Sequence, residues 1–288
     1  MKRRRFLTIT AAALCAAPAA ANPARWQGRA FGAEAQIAIA GLPDHRAALL
    51  WPKIEALIEQ IEADFSLHRA STLTRLNETG VIANPTRALQ NILAVSDRAH
   101  KATGGVFDPS IQPLWLATAQ AGDLAAARKN IGWSRVKWSE AEIRLEPDMA
   151  LTLNGVAQGF AADVIAEYLF GKRFFNVMVD MGEVMALGLN GTAPWRVGIA
   201  GPDGTQLGES ALQNRALATS SPRGTLIGAD APHILHPDGS APLWSTVSVS
   251  SPSAAVADAL STAFCLMDRA AIEDAVSHFP NTRIEHIS

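Results

Sequence analysis

Apolar residues recur at helical spacing through residues 46–65, where Leu50, Ile54, Leu57, Ile58, Ile61 and Phe65 fall on one face. Just before them, "EAQIAIAG" alternates as a short strand. A second helix is predicted from Asn84-Pro85 to Gly104-Gly105, and a shorter one from Asp123. Residues 136–153, "VKWSEAEIRLEPDMALTL", alternate like a hairpin, and a helix is predicted from Gly155 to Phe170, stopped by Gly171. Strand-like runs follow at 174–180, 195–200, 215–220 and 244–250. Helices and short, antiparallel-looking strands are mixed, with no internal repeat and no low-complexity linker. The pattern predicts an α+β fold, as one compact domain or two interleaved halves.

The last helical stretch, "VADALSTAFCLM" (residues 256–267), is unusual. It is predicted to open after Ser251-Pro252, a capping residue followed by a first-turn proline. Val256, Leu260, Ala263, Phe264 and Met267 form its apolar face. The opposite face should meet water and carry Lys or Glu. It offers only short side chains instead, namely Ser251, Ala255, Asp258, Thr262 and Cys265, until Arg269.

Composition changes this picture at one end of the chain. "RRRFLT", the apolar run "ITAAALCAA" and the small-x-small site ending at Ala21 read as a twin-arginine export signal over residues 1–21. The apolar run is too short and too rich in alanine for a membrane helix. Cleavage after Ala21 predicts a periplasmic protein with no membrane span. Removal of Cys15 leaves Cys265 alone, which excludes an internal disulfide and a cysteine-based metal cluster. The formal net charge is −2, with no basic run outside the signal, so nucleic acid is not an expected partner.

Four stretches could carry chemistry. In "LNGVAQGFAADVIAEYL", Gly155 and Gly159 stand four apart at a helix start. That spacing suits close helix packing, or a helix N-terminus laid against a phosphate; it lacks the spacing of a dinucleotide fingerprint. "TGGVFDPSIQPLW" reads as a capped turn around Asp108. "RALATSSPRG" and "HILHPDGSAP" give a hydroxyl-rich turn and two histidines, His233 and His236, without the spacing of a zinc site. Asp258 and Thr262, one turn apart, suit a hard cation such as Mg2+ held on phosphates. The plainer alternative is a threonine bonded to its own backbone beside a solvated carboxylate.

Taken in order, "RAFGAEAQIAI", "ADFSLHRASTLTRLN", "TGGVFDPSIQPLW", "LTLNGVAQGFAAD", "ALATS", "HILHPDG" and "SVSSPSAAVADALSTA" resemble the ApbE family, the FAD:protein FMN transferases. The resemblance implies one ApbE-like, T-fold-like α+β domain over residues 22–288, with mixed, largely antiparallel sheets flanked by helices. It implies cleavage of the FAD diphosphate, release of AMP, and FMN left on a Thr or Ser hydroxyl of a target protein. Matched position by position, Asp258, Thr262 and the carbonyl of Gly155 become Mg2+ ligands, and His233 the catalytic histidine. Phe31, His68, Val106, Phe107, Asp108, Thr152, Gln158 and Ile234 match FAD-lining positions.

The chain departs from the family pattern at several of these. Phe31 stands for Met, His68 for Tyr, Thr152 for Asp, and Gln158 for Lys or Glu. Glu183 interrupts a Gly-Gly pair, Ser221 replaces a glycine, and His236 replaces an Asp. With the export signal, this drift resembles the NosX branch, which flavinylates the periplasmic domain of the membrane protein NosR for nitrous oxide reductase maturation. An FAD carrier without transferase activity and a Mg2+-dependent FAD diphosphatase are the other expectations the residues allow.

Overall fold

The computed structural model describes residues 23–288; the export signal and Cys15 lie outside the described residues. Strands β1 (Ala24–Ala30) and β2 (Ala33–Ile39) open the fold as a hairpin. Helices α1 (Asp44–Ala47), α2 (Trp51–Phe65) and α3 (Thr72–Thr79) follow, then β3 (Val81–Ala83) and α4 (Arg87–Ala102). Next come α5 (Gln112–Gln120), α6 (Leu124–Lys129), β4 (Lys137–Trp138) and β5 (Glu142–Arg144). Helix α7 (Ala157–Gly171) leads into β6 (Val177–Asp180), β7 (Val184–Leu187), β8 (Trp195–Ala200) and β9 (Gln206–Leu212). Strand β10 (Arg215–Ser220) precedes the short pair β11 (Leu226–Ile227) and β12 (Ala231–Pro232). Strand β13 (Val247–Ser251), α8 (Ala254–Phe264), α9 (Arg269–Ser277) and β14 (Arg283–Ile287) close it.

The central sheet runs β1-β2-β6-β7-β10-β13-β14 and is antiparallel at every pairing. Alternation along its strands separates two cores. Ile37, Ile39, Val177, Val179, Ala216 and Ala218 join the cluster formed with helices α2, α4, α7 and α8. Ala38, Met178, Val184, Ala186 and Leu217 pack instead with Trp195, Val197, Ile199 and Leu212 of the β8–β9 hairpin. The result is the expected α+β domain, a sheet with helices on one face and a hairpin on the other.

Three local expectations change. The helix expected over 46–65 is broken into α1 and α2, because Pro52 stands in the first turn of α2 and has no N–H to continue the ladder from α1. The alternation over 136–153 yields only β4 and β5, paired with each other and with β3. At Leu151 the backbone is satisfied by a side chain rather than a strand: its N–H donates to Asn77 Oδ1 at 2.7 Å, and Asn77 Nδ2 donates to its carbonyl at 2.8 Å.

The third change is α8, which begins at Ala254 and not after Ser251. Ser251 is still paired with Ala216 in the sheet, so its backbone is extended. Ser253 is the cap, its oxygen accepting from Val256 N–H. Neither face of α8 meets bulk water. It is buried among β10, β13, α4 and α7, and Asp258 is only 3% exposed.

Candidate active site

Two carboxylates clasp α7 and α8 to each other's N-termini. Asp163 of α7 accepts from Ser253 Oγ at 2.7 Å and from the N–H groups of Ala254 at 2.8 Å and Ala255 at 3.0 Å. Asp258 of α8 accepts from the Gly159 N–H of α7 through Oδ2 at 3.1 Å. Each carboxylate thus meets free amides at a positive helix end. Asp258 of the chain itself thus faces the start of α7. Gly159 also serves close packing: a Cβ there would collide with the Ala254 carbonyl oxygen and lie 2.8 Å from Ala255 N.

Beside this clasp lies a cavity of about 270 Å³. Gly155, Asp258 and Thr262 form one corner. A Cβ at Gly155 would be 3.1 Å from Thr262 Oγ1, a tight contact that the bare glycine avoids. Ser220 at the end of β10 bonds Ser261 at 2.8 Å and Thr262 at 3.3 Å through its hydroxyl. Of the short-sided face of α8, only Asp258 and Thr262 reach the cavity wall. Ser251 belongs to β13, Ala255 lies against Asp163, and Cys265 bonds the Ser220 carbonyl at 3.4 Å.

Charge in the cavity is one-sided. Burial pushes the Asp258 carboxyl up to about 7; nearby Asp163 adds to the rise and the Gly159 N–H opposes it. Glu183, on the same wall, is also raised, by burial first and then by Asp258 and Asp180, against the Thr219 N–H that it accepts at 3.0 Å. No Lys or Arg is among the lining residues. Buried carboxylates without a cationic side chain are stable as neutral acids or as ligands of a cation. The side-chain donors at the corner are a carboxylate and a hydroxyl, both hard oxygens that suit Mg2+.

His233 stands at another wall of the cavity. Its Nδ1 is 2.9 Å from the Pro222 carbonyl oxygen and 3.2 Å from that of Thr225. Carbonyl oxygens only accept, so Nδ1 carries the proton and Nε2 keeps the lone pair. Burial holds the imidazole below its ordinary value of 6.5, which favours this neutral form. His236 pairs instead with Asp238 in the following turn and is not on the cavity wall.

The other expected site residues divide. Val106, Phe107, Asp108, Thr152, Gln158 and Ile234 line the cavity. Asp108 is committed to the turn predicted for it: Oδ1 accepts from Ser110 N–H at 2.8 Å and Ser110 Oγ at 2.6 Å. Gln158 packs against Gly182, whose φ of 102° and lack of a side chain both fit that contact. Phe31 and His68 are elsewhere. Phe31 sits in the β1–β2 turn at φ 52°, its N–H donating to the Glu62 carboxylate. His68 is exposed just beyond α2, its N–H donating to Ser66 Oγ at 3.1 Å. Neither is on the cavity wall.

The acids Asp163 and Asp180 were not anticipated, and Glu183 only as a break in a glycine pair. Their signal was present: Asp163 is a lone carboxylate inside the apolar run "GFAADVIA", and Asp180 and Glu183 are the two carboxylates inside "VMVDMGEVMAL". A charged residue flanked by buried positions has a partner or a function.

The fold, an antiparallel sheet backed by helices, is shared with solved flavin transferases. Flavin Transferase ApbE from Vibrio cholerae superposes with a TM-score of 0.78 at 22% identity, over 90% of this chain and 91% of that one. Pseudomonas stutzeri flavinyl transferase ApbE, in its apo form, gives 0.75 at 21% identity, over 87% and 86%. Among sequences, an FAD:protein FMN transferase of Vibrio cholerae is 26% identical over 253 residues, covering 79% of this chain and 75% of the relative. One of Haemophilus influenzae is 27% identical over 256 residues, covering 77% and 73%. The ApbE family model matches residues 31–285. The chain belongs to the ApbE family.

Proposed function

We propose that this protein is a Mg2+-dependent FAD:protein FMN transferase. One observation carries the reading: a buried corner of Asp258, Thr262 and Gly155, free of cationic side chains, shares a cavity with a histidine whose Nε2 is unprotonated. FAD is the substrate, and the relatives' name supplies the acceptor class. Asp258, Thr262 Oγ1 and the Gly155 carbonyl would hold Mg2+, which supplies positive charge to the diphosphate oxygens when bound. Val106, Phe107, Gln158 and Ile234 give the substrate its contacts. His233 Nε2 takes the proton as an acceptor hydroxyl forms its bond to the FMN phosphorus. The diphosphate P–O bond on the far side breaks, and AMP leaves.

The twin-arginine segment supports action in the periplasm, and the departures at Phe31, His68, Thr152 and Gln158 support placement in the NosX branch with NosR as acceptor. The test is to incubate the protein with FAD, Mg2+ and a purified periplasmic NosR domain, then weigh that domain and assay the nucleotides. A mass gain of one FMN with one AMP supports the proposal. Free FMN and AMP with an unmodified domain point to a diphosphatase. FAD bound but intact points to a carrier.

A further inference from the structure

A second concavity, a groove of about 630 Å³, adjoins the cavity and shares Pro202, Ile234 and Leu235 with it. Leu114, Leu124, Pro242, Leu243 and Trp244 give it an apolar lining. Leu243 is 57% exposed and Leu124 38%, far more than a core position would be. The wall is nevertheless fixed. Trp244 Nε1 donates to the Met267 carbonyl at 2.8 Å, and the Leu243 and Trp244 N–H groups both donate to the Cys265 carbonyl. The groove is thus tied to the end of the helix that carries Asp258 and Thr262. Pro222 and Pro232 line it as well, and Pro222 is the carbonyl that orients His233.

Charge is segregated between the two spaces. The cavity holds carboxylates and no Lys or Arg. The groove is lined by Arg128, Arg223 and His236, with no Asp or Glu. Arg223 is engaged by Asp230 at 3.0 and 3.1 Å. Arg128 has no carboxylate partner among the described residues, and its guanidinium lies over Gly239, a turn position whose φ of 90° calls for glycine. Arg128 is exposed at the groove, where a ligand can reach its guanidinium.

We infer that this groove is the docking site of the acceptor protein, and that it takes an extended segment with apolar side chains and a carboxylate. The inference rests on the transferase reading, because transfer needs a second macromolecule to bring a hydroxyl to His233. The groove is continuous with the cavity at Ile234, runs beside that histidine, and is apolar with one unpaired cation, Arg128, where the cavity is acidic; Arg223 and His236 are matched by Asp230 and Asp238. Apolar side chains would seat against Leu243, Trp244 and Leu124, with the carboxylate on Arg128. Complementary charge of this kind sets partner choice.

The test uses two fluorescein-labelled synthetic dodecapeptides with one threonine, three leucines and two aspartates, or the same sequence with lysine for aspartate. Binding is read by anisotropy on wild type, Arg128→Glu and Leu243→Asp. Circular dichroism and FAD affinity serve as controls, and neither residue touches the cavity. The aspartate peptide is expected to bind wild type and to lose about tenfold or more on either variant. The lysine peptide is expected to prefer Arg128→Glu. Equal binding of both peptides to all three proteins overturns the inference. So does a loss of FAD affinity in the variants, which would assign the groove to the nucleotide. So does a dimer in sedimentation that Leu243→Asp dissociates, which would assign it to a second copy of the chain. Weighing the peptides after incubation with FAD and Mg2+ separates the two readings. Charge-dependent binding without a mass gain defeats the transferase and leaves docking intact; a mass gain indifferent to both substitutions does the reverse.

Discussion

Replacing Asp258 by asparagine should make the metal-free protein more stable, not less. The carboxyl titrates at about 7 in the fold, against about 3.9 in an unfolded chain. A raised folded value means that the native state holds its proton longer than the unfolded state does. Its ionisation therefore costs stability, and the cost has a defined window. It is absent below about pH 3.9, grows as pH rises, and is complete above about 7. Three units at 1.36 kcal/mol each set the full cost at about 4 kcal/mol. The side-chain amide introduced by Asp258→Asn would keep an oxygen for the Gly159 N–H and remove the charge that also bears on Glu183. The gain expected at pH 8 is on the order of 2–4 kcal/mol, or roughly 5–15 °C in Tm for a chain of this size. Differential scanning fluorimetry on EDTA-treated protein at pH 5 and pH 8 measures it, with and without Mg2+. Wild type should rise in Tm with Mg2+ at pH 8, and the variant should not. A metal-free variant that melts at or below wild type at pH 8 would refute the reasoning. It would show that Asp258 is a structural anion whose charge the fold needs.

Three further outcomes are expected. Gly159→Ala places a methyl against the Ala254–Ala255 backbone; an overpacking cost of about 1–3 kcal/mol, less about 1 kcal/mol of helix propensity, should lower Tm and weaken Mg2+ binding together, and unchanged Mg2+ affinity by calorimetry would uncouple the clasp from the site. His233→Ala should bind FAD normally yet transfer about 10²–10⁴-fold more slowly; because burial lowers the histidine's value, the acid limb of the wild-type rate profile should fall below pH 6.5, and a limb above it would exclude His233 as the base. Replacing both Arg3 and Arg4 by lysine should hold the precursor in the cytoplasm, and normal accumulation in a periplasmic extract would dismiss the twin-arginine reading.

Periodicity carried the scaffold well where one face packs on one core. Ile54, Ile58, Ile61 and Phe65 of α2 are buried as their spacing predicts, and β8 and β10 fall where their runs do. It failed where backbone is satisfied non-locally, as at Leu151, whose partner is the side chain of Asn77, 74 positions away. It also failed at α8, where burial on every side removes the contrast that amphipathicity depends on. In the site, Asp258 and Thr262 were legible because they share one helix. Glu183 was not, since its meaning comes from Asp258 across the cavity. The capping of α8 by Asp163 spans 90 positions and leaves no local pattern. The two halves of Phe107-Asp108 show both readings at once, with the ring on the cavity wall and the carboxylate turned into its own loop.

The reciprocal grip of Asp163 and Asp258 sets how such a protein can diversify. The two helices fasten each other by four backbone and side-chain bonds that involve nothing from the intervening strands. Everything from β6 to β13 is an excursion that leaves this anchor and returns to it. Most of the second concavity belongs to that excursion, including Pro202, Pro222, Leu243 and Trp244. If the groove docks the acceptor, exchanging its residues can change which polypeptide is received while Asp258, Thr262 and Gly155, outside the excursion, stay where they were. On the proposed reading, His233 and the Pro222 carbonyl that orients it travel with that excursion, so a change of client that moves this segment also moves the base, while the corner built on the grip of α7 and α8 stays in place.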